Sequence, residues 1–339
     1  MPKNTENLNL YEVDPSTDGN MTFNIDTMMN DNWDKLDAYA GGINAQLSNK
    51  ADIIDGKIAP MPSIADVGGS NKNLLINWDF RNPVNQRGLS EYTGVTYTVD
   101  MWQLNANRGK LNVNDGYITL TNTAESGAEY LRQGFEKNFE AGDVLTLSAE
   151  IRGNGSGQLF LGNSTDGANI GGYTEYTATS DWQVITFTKT LESTLPKWWV
   201  IQVTGQNAYI DIRRVKLELG SVSTLQNDPP QDYAEELRKC QRYQFMTNAS
   251  SRWARASKIT DSVIYFDVAC PATMRANPTI TQNNTLRVTT FDVASTAQTG
   301  FTFACADQQG AIRIAASKAS HGLTDATLEM VSVLFDANL

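Results

Sequence analysis

At 339 residues the chain is long enough for two or three domains with cores of their own, and 40% hydrophobic with 19% charged residues is the composition of an ordinary soluble protein. A formal net charge of -11 disfavours a general affinity for nucleic-acid phosphates. The sequence offers no run of eighteen apolar residues for membrane insertion, and its opening MPKNTENLNLYEVDP lacks the basic start and apolar stretch of a secretory signal, so synthesis in a host cytoplasm is expected.

Residues 1–59 read as a helical segment. Ile25, Met29, Trp33, Leu36, Ala40, Ile43, Leu47, Ala51, Ile54 and Ile58 fall mostly four and three apart, which is coiled-coil spacing. Asn24 is a candidate N-cap, and Gly41-Gly42 is a weak point where the helix could split. Such a stripe needs a partner. Either copies of the chain bury it along a seam of Ile25, Met29, Trp33, Leu36, Ile43 and Leu47, or it packs on its own downstream domain. Charge separates the two ends of the chain: Lys3, Lys35, Lys50 and Lys57 face ten acidic residues in 1–58, whereas 238–339 holds ten basic residues against seven acidic ones.

Pro60, Pro62 and Gly68-Gly69-Ser70 make residues 60–72 a linker. From 73 to 220 the apolar period becomes two, predicting an antiparallel β-sandwich. KLNVNDGYITL is a hairpin around Asp115-Gly116, and TYTVDMWQL, EYLRQGF, DVLTLSAEIRG, GQLFLG, WQVITFTKTL, KWWVIQVTG and AYIDIRRVKLEL are further strands. In 221–243 two prolines and a short helix over 232–243 read as a hinge, after which 244–339 is a smaller β domain. The predicted class is mainly β.

Catalytic chemistry is sparse. His321 is the single histidine and sits in a predicted exposed loop; no GxSxG or HExxH occurs; and Cys240, Cys270 and Cys305 have neither disulfide nor zinc spacing, which predicts free thiols. No cofactor is expected. Paired carboxylates remain the one available route to an enzyme. Aromatic residues suit sugar rings better: alternation separates Trp198 from Trp199, so one is core and the other a candidate platform. Trp102 and Trp182 are expected in the core. Tyr173 and Tyr176, in a predicted Gly- and Asn-rich loop, are candidates to line a cleft. Arg252, Trp253 and Arg255 combine guanidinium and indole in a manner suited to anionic glycans.

Four stretches together resemble the tail fibres, or receptor-binding proteins, of phages and phage-tail-like particles of Gram-positive bacteria: DGNMTFNIDTMMNDNWDKLD, NLLINWDFRNPVNQRG, KLELGSVSTLQNDPPQDYAEELRKCQRYQ, and CPATMRANPTIT with the closing FDANL. The resemblance implies an N-terminal baseplate-attachment segment, a middle jelly roll similar to carbohydrate-binding modules, and a C-terminal tip on a homotrimer that adsorbs to bacterial cell-surface glycan. It also implies a possible structural calcium near Asp211, a location on a virion or tail-like particle, and no enzymatic activity, with a virion-borne glycan depolymerase as the alternative.

Overall fold

The computed structural model describes residues 3–4, 11–12, 29, 31–50, 53–54, 57–58 and 68–338, without 164–167, 193–195, 248–251, 291–295 and 308–310. The chain divides into two compact units, 1–62 and 63–339.

In the first unit β1 (Lys3–Asn4) and β2 (Tyr11–Glu12) pair antiparallel, with Lys3 opposite Glu12. Helix α1 (Asp31–Lys50) begins with Asp31 and Asp34 in its first turn, where carboxylates complement the helix dipole, and runs through Gly41-Gly42 without a break. Of the predicted seam, Met29, Trp33 and Ile43 are 43%, 64% and 40% exposed, and Leu36 is half-buried. Asn24, Ile25 and the side chain of Leu47 lie outside the described residues. The predicted stripe does not continue to Ile58: Ile54 and Ile58 belong to β3 (Ile53–Ile54) and β4 (Lys57–Ile58), an antiparallel pair. Isoleucines flanking an Asp-Gly pair favour a hairpin over another helical turn.

The second unit starts with a sandwich of twelve strands: β5 (Glu91–Thr93), β6 (Thr96–Tyr97), β7 (Gln103–Leu104), β8 (Gly109–Asn114), β9 (Tyr117–Asn122), β10 (Ala128–Gly134), β11 (Val144–Gly153), β12 (Ser156–Gly162), β13 (Thr174–Thr177), β14 (Gln183–Thr190), β15 (Trp198–Thr204) and β16 (Ala208–Leu219). They form two six-stranded antiparallel sheets, a front sheet ordered β13-β12-β15-β10-β7-β6 and a back sheet ordered β14-β11-β16-β9-β8-β5. Inward residues of both, among them Leu131, Trp199 and Ile201 in front and Leu147, Ile212 and Val215 behind, fill one core and are fully buried. At its centre Trp102 packs edge-on against Phe80 and Trp199, with ring centroids 5.2 and 5.3 Å away, and its indole N–H donates to the Asn77 carbonyl at 2.8 Å. The predicted β8–β9 hairpin is present, with Gly116 at φ +83°, a conformation that glycine adopts without steric cost. TYTVDMWQL is not one strand. Thr98 to Trp102 fold back between β6 and β7, with Met101 at φ +73°, which delivers the Trp102 ring into the core.

Beside and outside the back sheet run residues 68–80 and 220–231. Leu74 N–H donates to Leu217 O at 2.8 Å and Val215 N–H to Trp78 O at 3.1 Å, so the first of these segments extends the edge of β16. Helix α2 (Tyr233–Gln241) is capped by Asp232, whose side chain accepts from the N–H groups of Ala234 and Glu235. The segment that reads as a hinge carries firm ties: Cys240 is part of the sandwich core, and the buried Glu236 accepts from Asn77 N–H at 2.8 Å.

The remaining strands are β17 (Gln244–Met246), β18 (Arg252–Ile259), β19 (Val263–Ala269), β20 (Thr279–Thr289), β21 (Ala297–Gln298), β22 (Thr302–Asp307), β23 (Ala311–Ser317) and β24 (Thr327–Asp336). They form an eight-stranded antiparallel sheet ordered β21-β20-β24-β18-β19-β23-β22, with β17 also on β24. Phe266, Val288, Ile314 and Phe335 centre its own hydrophobic cluster. Among the described residues the chain is mainly β.

Candidate functional site: a groove on the front sheet

Strand alternation makes the groove. On β15, Trp199, Ile201 and Val203 are fully buried in the core, which leaves Trp198, Val200, Gln202 and Thr204 on the outward face. Antiparallel register then aligns outward residues across the strands. Gln103, Arg132, Val200 and Phe160 stand in one row, and Tyr130, Gln202, Gln158 and Glu175 in the next.

Three concavities follow these rows. A central one of about 390 Å³ is lined by Asn105, Tyr130, Arg132, Gln158, Phe160, Asn169 and Gln202. A second, about 350 Å³, shares Gln158 and Gln202 and reaches Glu175 and Thr177 on β13. Beyond Gln103 a third of about 670 Å³ lies where Arg87 and Tyr97 meet Met246, Thr281 and Asp336 of the C-terminal strands.

The electrostatics are uneven along the groove. At its centre the Arg132 guanidinium lies 4.1 Å from the Trp198 ring centroid, a cation–π stack, and its Nε donates to Gln103 Oε1 at 2.9 Å. No carboxylate pairs with it among the described residues, and burial pulls its pKa below the usual arginine value, offset in part by Tyr97. At the far end Arg87 is compensated: it is 3.6 Å from Asp336, donates to Thr98 O at 3.3 Å and lies 5.9 Å from the Tyr97 ring. Burial, with the nearby Asp336 charge, pushes the Tyr97 phenol up to about 12. Next to this end the buried Asp100 accepts from Gln86 N–H at 3.0 Å and from the side-chain amides of Gln86 and Gln244 at 2.6 Å each. Desolvation outweighs those bonds and raises Asp100 to about 6.

Trp198 is thus on the groove face, half-buried beside Arg132. Tyr173 is 46% exposed, immediately before β13. Tyr176 is not on a loop: it lies within β13, 6% exposed in the sandwich core, and its hydroxyl donates to Gln202 O at 2.5 Å beneath the groove. Arg252, Trp253 and Arg255 are on β18, with Trp253 opposite Glu329; Arg255 is exposed and pairs with Asp325 at 2.9 Å. The side chains of Arg252 and Trp253 lie outside the described residues. Asp211 does not fit a calcium ion, because Thr119 Oγ1 donates to one of its oxygens at 2.7 Å and Arg152 Nε to the other at 2.9 Å, placing a guanidinium where a cation would bind. Trp182 is not core but half-buried on the back sheet's outer side, under Arg213 and Arg152 at 4.1 and 4.7 Å. His321 is half-buried rather than exposed, accepting the Leu323 N–H through Nδ1 at 3.0 Å. Cys240, Cys270 and Cys305 form no disulfide among the described residues.

Tyr130, Arg132, Gln158, Phe160 and Gln202 were not singled out from sequence. Alternation in EYLRQGF and GQLFLG separates outward from inward residues on each strand, but only register shows that they meet.

Chemically, the groove offers aromatic faces for sugar C–H surfaces and amides for hydroxyls. Among the described residues its acids are far apart: Glu175 is on β13 and Asp336 beside β6, five strand spacings or roughly 24 Å at the usual interval. The carboxyl pairs of glycosidases stand about 5–9.5 Å apart.

The fold is therefore a two-sheet antiparallel sandwich with an open groove on one face, joined to a second β domain. No protein family matches the sequence, and no curated protein matches it. Among solved structures the chain is similar to the N-terminal cellulose-binding domain of Cellulomonas fimi β-1,4-glucanase C (17% identity over 36% of this chain and 90% of that one, TM-score 0.29). It is also similar to a family 29 carbohydrate-binding module from Piromyces equi (14%, 39% and 93%, TM-score 0.30). A third is the enzymatically active domain of bacteriophage CBA120 tailspike protein 4 (13%, 44% and 21%, TM-score 0.30). At such scores the likeness adds nothing to what the groove itself says.

Proposed function

We propose that the chain is a glycan-binding receptor-recognition protein of the tail-fibre class, without enzymatic activity, that adsorbs a phage tail or tail-like particle to the surface glycan of a Gram-positive bacterium. The observation that carries this reading is the groove: aromatic and amide side chains in register on one face, in rows that together run from β7 to β13 of a six-stranded sheet. A jelly-roll module would present a linear saccharide across its strands in this way. The wide separation of Glu175 and Asp336 supports binding over hydrolysis. The apolar side chains that α1 leaves exposed, Trp33 at 64% and Ile43 at 40%, support association of chains as a homotrimer at the baseplate end. Three weak sites on one trimer would gain through effective concentration.

The test is retention of the full-length chain on cell envelopes from a panel of Gram-positive strains, beside the double variant Y130A/W198A. Strain-selective retention reduced tenfold or more by the two substitutions is the expected result. Undiminished retention would move recognition to another surface, Arg255 and β18 first, and release of reducing ends from the envelopes would restore the depolymerase reading.

A further inference from the structure

Among the described residues the central charge of the groove has no counterpart. Arg132 is half-buried in a chain of net charge -11, yet no carboxylate approaches it among the described residues. Five other arginines that flank the sandwich do pair with carboxylates: Arg81 with Asp79, Arg87 with Asp336, Arg152 with Asp211, and Arg213 and Arg214 with Glu150. A desolvated guanidinium without an anion is costly. Here it is also held in place, with Trp198 against its plane and Gln103 accepting from Nε, so that the terminal nitrogens are the donors left for a ligand. A guanidinium fixed in this manner matches the two oxygens of a carboxylate or phosphate. Tyr130, in the row beside Arg132, gives an adjoining ring apolar surface, while Gln158 and Gln202 supply donors and acceptors for hydroxyls. Among the described residues that line the groove, acidic groups stand at its two ends, Glu175 and Asp336, the latter already facing Arg87.

Resting on the glycan-binding reading, we propose that the groove selects saccharides bearing an anionic substituent, a uronate carboxylate or a phosphodiester, and that Arg132 is the residue that reads the charge. The ligand is an acidic polymer whose charged unit sits at the centre of the sheet with neutral ring surface on either side. Trp198 then has two duties, as a ring platform and as the backing of Arg132.

The experiment is retention of the full-length chain on an array that pairs each acidic oligosaccharide, oligogalacturonate among them, with its methyl-esterified neutral form, and that includes poly(glycerol phosphate). Wild type is expected to prefer the acidic member of at least one pair, or the phosphodiester, by tenfold or more. R132Q should lose that preference, so that the acidic and neutral members of a pair are retained alike, and R132K should restore part of it. Retention of poly(glycerol phosphate) alone would assign the phosphodiester, retention of the uronates alone the carboxylate. Equal or tighter binding of the neutral forms, or equal losses by R132Q on both members, would overturn the proposal while leaving the glycan reading in place; no retention of any saccharide would overturn both.

Discussion

The two outer faces of the sandwich are built from the same alternation and treat cationic side chains in opposite ways. Behind, the fully buried Lys216 donates from Nζ to Ser70 Oγ at 2.7 Å and Thr224 Oγ1 at 2.9 Å and pairs with Asp228, under the covering segments 68–80 and 220–231. Arg214 sits 2.8 Å from Glu150 on the same side. In front, no carboxylate pairs with Arg132 among the described residues, and the arginine is left without an anion. A face whose charges are all matched internally is a structural surface; a face that leaves one unmatched and backed by aromatics is prepared for something from outside.

The severest way to break that contrast is to remove a matched charge from the back. D228A removes the nearer of the two carboxylates that pair with the buried Lys216, leaving Glu218 at 3.8 Å, and should destabilise the protein by about 3 kcal/mol, measured by chemical denaturation. Asp100 sharpens the contrast in another way, since it is a buried carboxylate held by amides. Its folded pKa of about 6 lies above the ordinary value of 3.8, so between these values the folded chain keeps a proton that the unfolded chain has lost. Stability should therefore fall as pH rises from about 4 to about 6, by about 2–3 kcal/mol, and level off above. D100N should flatten that slope in denaturation series across the window. Under the groove, Y176F removes the hydroxyl that bonds Gln202 O and should cost about 1–2 kcal/mol in the same assay. The smallest effect belongs to R152A: its partner Asp211 keeps Thr119, Arg152 is partly exposed, and the loss should stay below about 1 kcal/mol with envelope retention unchanged.

Much of this was legible in the chain itself where local chemistry decides. The Asp115-Gly116 hairpin, the capped helix after Asp232 and the inward and outward split of Trp199 and Trp198 each follow from a few neighbouring residues. What escaped was decided elsewhere. Nothing in TYTVDMWQL shows that Trp102 must reach Phe80 and Trp199, and that demand bends the chain at Met101. Tyr176 reads as a loop residue because its strand is four residues long and exists only by pairing with β12. The groove escaped for the same reason, since Arg132, Val200 and Phe160 are far apart in sequence and meet only through register.

One feature of the back sheet bears on how the chain comes together in time. The β11–β14 pair and the β8–β9 hairpin lie on opposite sides of β16, which alone among the described strands bonds to both. Neither half can bury its inner side until β16, the last sandwich strand to be synthesised, slots between them. Such long-range closure places refolding in the millisecond-to-second range typical of sandwiches, and substitutions at Ile210 or Ile212 should slow it more than equally destabilising ones in β14.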